Sequence, residues 1–315
     1  MRGRMMSSAL KRGEPGWYYR LGTYFKEQFG QPVYKIPLDA GFSCPNRDGT
    51  IGTGGCSYCY NPSFSPHSRE DQPPTLSEQL QKGKKKKPAL YLAYFQSYTN
   101  TYAPLNKLNE LYDQALAAPE VIGLSIATRP DCLSPKILDL LESYVARCHL
   151  WVEFGLQSAA DKTLKRINRG HSAADFVKAV MLTRERGIRV CAHIILGLPG
   201  ETPDMYAETI DLINRNGIEG IKFHHLQIIH GTPLAGEYKT GDVLIFDCLA
   251  DYLPHLCDCL ELLNPSTVVH RLASQVTSAD LLIAPQWPES PGQIAAAVTG
   301  ELKRRGTHQG YRFYQ

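Results

Sequence analysis

The chain is 315 residues long, with 43% apolar and 21% charged residues, values typical of an ordinary soluble globular protein. Its formal net charge of +3 is close to balance and does not by itself require a nucleic acid or an anionic membrane as partner. No apolar run approaches the length of a membrane span. The first residues, MRGRMMSSALKRGEPG, are charged and contain no apolar segment, so we expect no signal peptide, nine reduced cysteines and a cytoplasmic location.

Positive charge is concentrated in three segments. Residues 1–35 carry seven arginines and lysines against two glutamates. A second basic run, KGKKKKP, covers residues 82–88, and LKRR covers residues 302–305. Such runs are usually solvated tails or loops, and binding to a polyanion is the alternative interpretation.

From residue 32 onward, short runs that predict strands alternate with amphipathic stretches that predict helices. The strands, nearly continuous in apolar or β-branched residues, are predicted at residues 32–38, 89–95, 121–127, 149–156, 189–196 and 220–229. The helices, whose ends carry capping residues, are predicted at residues 104–118, 134–148, 172–187 and 202–217. This alternation predicts an α/β fold in which six βα units form an open or closed parallel barrel.

Polar or glycine-rich sequence follows every predicted strand, where the reactive residues of parallel barrels lie. The first strand is followed by GFSCPNRDGTIGTGGCSYC, residues 41–59, which contains Cys44, Cys56 and Cys59. A structural zinc site would need a fourth ligand, for which His67 is the near candidate. A cubane iron–sulfur cluster held by three thiolates would leave one iron open to a substrate or cofactor. The spacing alone does not decide between the two metals.

Seven motifs in chain order resemble the radical S-adenosylmethionine (SAM) superfamily, in the branch related to Elongator subunit 3 and oxygen-independent coproporphyrinogen oxidase. More narrowly, they are similar to the bacterial YhcC/YtqA-like family. The motifs span residues 41–234 and read GFSCPNRDGT, AYFQSYTNTYAP, IATRPDC, VEFGLQS, INRGH, HIILGLPGET and IKFHHLQIIHGTPL. The resemblance implies a partial (β/α)6 TIM-like barrel of the radical SAM type.

The resemblance further implies two cofactors, a [4Fe-4S] cluster and S-adenosylmethionine, which together generate a 5′-deoxyadenosyl radical. By position, Cys44, Cys56 and Cys59 are the cluster ligands, and Tyr58 is the aromatic residue that packs near the adenine. The electron donor would be of the flavodoxin or ferredoxin type.

Six further positions are expected to contact S-adenosylmethionine. Gln157 and Arg169 match positions that contact the ribose or carboxylate in related enzymes, and their side chains suit a diol and a carboxylate. Relatives carry a glutamate where this chain has Ala127, so Glu153 on the neighbouring strand is expected to replace it. The full set is Gln96, Glu153, Gln157, Arg169, His193 and Gly197, with a buried core histidine as the alternative for His193 and a surface ion pair for Arg169.

The chain is predicted to divide into a basic N-terminal extension (residues 1–31), a radical SAM core (32–234) and a C-terminal extension covering the barrel (235–315). The resemblance implies an enzyme that modifies the side chain of the wobble uridine in tRNA, converting a carboxymethylaminomethyl group toward aminomethyl. Alternatives are a radical SAM enzyme for a small molecule or peptide, and a non-catalytic, metal-bearing RNA-binding protein.

Overall fold

Strands and helices alternate along the computed structural model, which describes residues 16–65, 67, 70, 73–276 and 278–313. The strands are β1 Val33–Leu38, β2 Leu90–Phe95, β3 Val121–Thr128, β4 His149–Gln157, β5 Arg189–Leu196, β6 Gly220–His225, β7 Ile228–Ile229, β8 Val268–Arg271 and β9 Leu282–Ala284. The helices are α1 Leu21–Phe29, α2 Leu76–Gly83, α3 Leu105–Leu116, α4 Pro135–Val145, α5 Asp161–Arg166, α6 Ala173–Arg184, α7 Pro203–Arg215, α8 Pro233–Thr240, α9 Leu249–Leu262 and α10 Pro291–Arg305.

Seven parallel strands form one curled sheet in the order β1-β2-β3-β4-β5-β6-β8. This confirms the predicted α/β fold and partial barrel, to which the C-terminal region adds a seventh strand. The predicted sixth strand is shorter than expected, because it ends at His225 and Ile228–Ile229 pairs with β9 in a separate two-stranded sheet. The curled sheet remains open between β1 and β8, a gap that we call the seam.

Helix α1 closes one end of the seam. It packs against both edge strands, and the backbone N–H of Val269 donates to the carbonyl of Tyr19 at 2.8 Å. Tyr24 and Phe25 are buried in an apolar cluster with inward-facing residues of the barrel, among them Trp151. The first turns of the described chain therefore plug the barrel at the N-terminal ends of its strands.

The C-terminal region packs on the outside of the barrel through α9 and α10. Arg305 at the end of α10 pairs with Asp258 at 2.6 Å and with Glu301 at 2.8 Å, and Arg304 pairs with Glu301 at 2.7 Å. The arginines of the LKRR segment are thus neutralised within the protein. The division into a core and two extensions stays a prediction. Among the described residues, no helix combines the length and apolarity needed to cross a bilayer.

Candidate cluster and cofactor site

The three cysteines of the loop after β1 line one end of a cavity of about 250 Å³ at the C-terminal edge of the sheet, which we call the cluster cavity. Tight turns shape this loop: the N–H of Arg47 donates to the carbonyl of Cys44 at 2.8 Å, and the N–H of Cys59 donates to that of Cys56 at 3.0 Å. The loop therefore brings Cys44 to the same surface as Cys56 and Cys59, although eleven residues separate it from Cys56.

Two side chains donate to the sulfur of Cys56. Asn46 Nδ2 and Arg169 Nη1 each lie 3.6 Å from Cys56 Sγ. Arg169 is buried, and its Nη2 donates to the carbonyl of Gly155 at 2.7 Å. A side chain at Gly155 would collide with this guanidinium, since a Cβ there would lie 2.6 Å from Arg169 Nη2. Two nitrogen donors from distant parts of the chain therefore converge on this sulfur.

Arg47 reaches back to the third cysteine and donates a short hydrogen bond to the carbonyl of Cys59. Burial, together with the neighbouring Cys56, raises the pKa of the Cys59 thiol to about 11, although Arg47 acts in the opposite direction. Without a bound metal this thiol is protonated at neutral pH, and a metal centre displaces that proton.

Backbone strain is concentrated at the same site. In the described part of the chain, the non-glycine residues with positive φ are Tyr98 (62°), Gln157 (75°) and Asn168 (51°). Tyr98 and Gln157 line the cluster cavity, and Asn168 immediately precedes Arg169. Left-handed conformations of such residues persist where the surrounding structure enforces them, and they are common at functional sites.

The structure brings most of the predicted cofactor contacts to the cluster cavity and leaves one outside it. Gly197 does not line the cavity: a Cβ there would meet the ring of Phe246 at 2.9 Å, and its N–H donates to the hydroxyl of Tyr206 at 3.0 Å. The predicted contacts that line the cavity are Tyr58, Gln96, Glu153, Gln157, Arg169 and His193.

Glu153 lies deeper in the barrel than the loop residues and is already fully paired. Its Oε1 lies 2.5 Å from Lys35 Nζ, and its Oε2 lies 2.5 Å from Lys222 Nζ and 2.7 Å from His193 Nε2. Ser125 donates a further short hydrogen bond to Oε1. Glu153 is also the register partner of Ala127 on β3.

The charges around Glu153 oppose a metal ion there. Ligand atoms of Glu153, Cys191 and His193 lie within 4.8 Å of one another. Burial alone would raise the pKa of Glu153, but the ammonium groups of Lys222 and Lys35 hold it well below its usual range. Because two cations already occupy this carboxylate, we assign no metal to these three residues.

Sequence reasoning missed the lysines of this cluster and two residues near the cysteines, Asn46 and Arg129. Lys35 and Lys222 are the only charged acid or base side chains besides histidine in their strands β1 and β6, which is the signal that a search for buried charges would use. Asn46 and Arg129 lie inside the quoted motifs, but only the folded chain shows that Arg129 Nη1 donates to the carbonyl of Arg169 at 2.9 Å.

Comparison with known proteins identifies the class. A model of the radical SAM superfamily matches residues 48–213, and one of the radical SAM C-terminal domain matches residues 218–304. The chain therefore belongs to the radical SAM superfamily, and it is an enzyme of that class with a [4Fe-4S] cluster and S-adenosylmethionine as its cofactors.

Within the superfamily, the chain groups with the YhcC/YtqA-like proteins. The uncharacterized protein YtqA of Bacillus subtilis is 40% identical over 302 residues, which cover 95% of this chain and 93% of YtqA. Protein YhcC of Escherichia coli K12 is 40% identical over 272 residues, 85% of this chain and 87% of YhcC.

More distant similarity extends to proteins of tRNA metabolism. The tRNA uridine(34) acetyltransferase of Methanocaldococcus infernus is 32% identical over 140 residues, 43% of this chain and 24% of that protein. Among solved structures, the M. infernus Elp3 with an N-terminal deletion superposes with a TM-score of 0.62 at 19% identity, covering 88% of this chain and 64% of Elp3. This structural likeness supports the fold.

The residues of the cluster cavity fit the two cofactors of the superfamily. Three thiols at one end provide soft ligands for iron and leave one iron without a protein ligand. Asn61 lines the cavity, and its buried Nδ2 has no hydrogen-bond partner among the described residues. This donor is therefore available to a bound cofactor.

Proposed function

We propose that this radical SAM enzyme modifies the side chain of the wobble uridine in tRNA, converting carboxymethylaminomethyl toward aminomethyl. The observation that carries the catalytic part is the convergence of the three thiols and Arg169 at one end of a cavity that continues into a cationic barrel, with Asn46 donating to the sulfur of Cys56. The partial similarity to tRNA uridine(34) acetyltransferases supports the substrate.

In this proposal Cys44, Cys56 and Cys59 hold the cluster. When bound, the cluster and S-adenosylmethionine supply a 5′-deoxyadenosyl radical. The protein positions the ligands and excludes water. Arg169 and Asn46 donate to the sulfur of Cys56, and hydrogen bonds of this kind raise the reduction potential of a cluster.

The contacts with S-adenosylmethionine are proposed at cavity-lining side chains. Gln157 and Arg169 offer donors for a ribose diol and a carboxylate. Glu153 can contact the cofactor only if it breaks its ion pair with Lys35 or Lys222. Gly197 can contact it only if the ring of Phe246 moves. The remaining proposed contacts are Tyr58, Gln96 and His193.

For tRNA, we propose that the lysine run at residues 84–87 contributes to phosphate binding. The run precedes β2, so it lies at the edge of the sheet opposite the cysteine loop. Lys85 Nζ lies 5.5 Å from the ring centre of Tyr34, which lines a groove of about 960 Å³ along the seam, the seam groove. The basic residues 1–15 lie outside the described residues. A cytoplasmic location and a flavodoxin- or ferredoxin-type electron donor complete the proposal.

Nucleoside mass spectrometry of tRNA from strains with and without the gene tests the substrate. We expect carboxymethylaminomethyluridine to accumulate in the deletion strain, wild-type protein to reverse the change and Cys56→Ser to fail. An unchanged set of wobble nucleosides would contradict the tRNA proposal and favour a small molecule or peptide.

A further inference from the structure

The interior of the barrel carries more positive than negative charge. Lys35 and Lys222 share the carboxylate of Glu153, and Arg271 is the register partner of Lys222 on β8. Glu153 is the sole carboxylate among the described residues that line the cluster cavity. Lys35, Lys222 and Arg271 therefore lie around the single carboxylate of Glu153, and the other carboxylate of this region, Glu289, lines the seam groove.

Arg271 is the cation without a carboxylate. It forms no ion pair or hydrogen bond with any residue in the described ranges, although it is mostly shielded from solvent. It lines both the cluster cavity and the seam groove, so its guanidinium stands where the two spaces meet. Its guanidinium donors have no acceptor among the described residues, and an anion that enters either space can supply one.

A second unsatisfied group lies beside it. His224 lines the cluster cavity, and its buried Nε2 has no hydrogen-bond partner in the part of the chain that the structure describes. Burial holds the pKa of His224 well below its usual range, so the ring is neutral and can donate one N–H or accept one. The ring centre lies 5.4 Å from that of His193, which binds Glu153.

The neighbouring positive charges also affect the pKa of Lys222. Burial, and then the neighbouring Lys35 and Arg271, lower its pKa to about 7, although Glu153 acts in the opposite direction. An additional anion in the barrel would favour the charged form of this lysine.

We propose that Arg271, flanked by Lys222 and His224, binds the carboxylate of the substrate, which reaches it through the cluster cavity or the seam groove. A guanidinium matches the two oxygens of a carboxylate in a bidentate pair. The inference rests on the proposed function, because the carboxymethylaminomethyl group carries a carboxylate that the aminomethyl group lacks. Arg271 would thus distinguish substrate from product.

Binding is measured by titration calorimetry on the cluster-loaded protein with S-adenosylmethionine and without reductant, so that no turnover occurs. The probes are 5-carboxymethylaminomethyluridine, 5-aminomethyluridine and uridine 5′-monophosphate. We expect the wild type to prefer the first nucleoside, and Arg271→Gln to weaken it roughly 10- to 100-fold, as for loss of a charged hydrogen-bonded pair. Arg271→Lys should recover part of the affinity, and the exposed Arg215→Gln serves as the matched control.

Equal affinity of the wild type for the two modified nucleosides would overturn the inference and leave the wobble-uridine proposal standing. Binding of uridine 5′-monophosphate that depends on Arg271, without a preference for the carboxylate, would assign the site to phosphate and also overturn it.

If none of the three probes binds, the result counts against the proposed function. The carboxylate site at Arg271 is then tested separately with acetate. Acetate, compared with chloride at equal ionic strength, should raise the unfolding temperature of the wild type and of Arg215→Gln but not of Arg271→Gln. Equal effects of acetate on all three proteins would overturn the inference.

Discussion

Glu153 connects four strands of the barrel through one carboxylate. Its partners Lys35, Ser125, His193 and Lys222 come from β1, β3, β5 and β6, and the side chain is 0% exposed. Such a buried group stabilises the native arrangement only while its partners are complete, because each ion has lost its hydration. The centre of the barrel therefore depends on a single negative charge.

We expect Glu153→Gln to lower the free energy of unfolding by about 3–5 kcal/mol, because the buried Lys35 and Lys222 lose their counter-ion and each must stay unpaired or release a proton. Urea unfolding measures this loss at pH 7 and at pH 9. The loss should shrink at pH 9, where the lysines can release their protons more readily in the folded variant. Glu142→Gln, at a half-exposed surface pair with Arg186, is the control. A loss no larger than that of the control would contradict this role of Glu153.

The residues at this scale show what the sequence could predict. The loop cysteines were recognisable because spacing and neighbouring motifs lie within short segments. The pairing of Lys35 and Lys222 with Glu153, and the position of Arg271 beside Lys222, were not recognisable, because they depend on the register of strands far apart in the chain.

Among the structural elements, α1 has an unexpected position. The sequence suggested a basic extension, yet Phe25 of this helix is 1% exposed and its ring lies 6.2 Å from that of His149 on β4. The helix fills the end of the barrel that the cluster cavity does not reach.

Phe25→Ala should lower the free energy of unfolding by about 3–5 kcal/mol, because it leaves a cavity in the plug of the barrel. Urea unfolding measures the change. Leu244→Ala, at a side chain that is 84% exposed, should have almost no effect. Equal stability of the two variants would mean that α1 does not contribute to the barrel.

The position of the edge strand β8 in the sheet could not be predicted from the sequence. β8, with the sequence VVHR, lies beside β6, a neighbour that the sequence did not predict. Neighbours in a sheet are set by tertiary packing, so a local pattern predicts that a strand exists and leaves its partner undetermined. The other six strands of the sheet, β1 to β6, were predicted from their apolar runs, although the sixth was predicted four residues too long.

Across the whole molecule, buried histidines make the free energy of unfolding depend on pH. Burial lowers the pKa of His149 and His193 to about 4 and that of His171 and His225 to about 3. His149 Nε2 accepts a hydrogen bond from the indole N–H of Trp151 at 2.9 Å, which requires an unprotonated nitrogen.

The unfolded chain binds protons at these histidines below about pH 6.5, whereas the folded chain does so only near pH 3–4. Stability should therefore fall as pH decreases through this window, by roughly 1 kcal/mol per histidine between pH 7.5 and 5.5. Urea unfolding of the metal-free protein measures it. His149→Gln should reduce the dependence, and the exposed His230→Gln should not. An equal midpoint at both pH values would contradict the account.

The central claim is that Cys44, Cys56 and Cys59 hold the cluster of a radical SAM enzyme. The most direct measurement is the amount of 5′-deoxyadenosine formed from S-adenosylmethionine after anaerobic reconstitution with iron and sulfide and addition of a reductant. We predict that the wild type forms 5′-deoxyadenosine and that a serine at any of the three positions abolishes it. A wild-type protein that binds one zinc and forms no 5′-deoxyadenosine would contradict the claim.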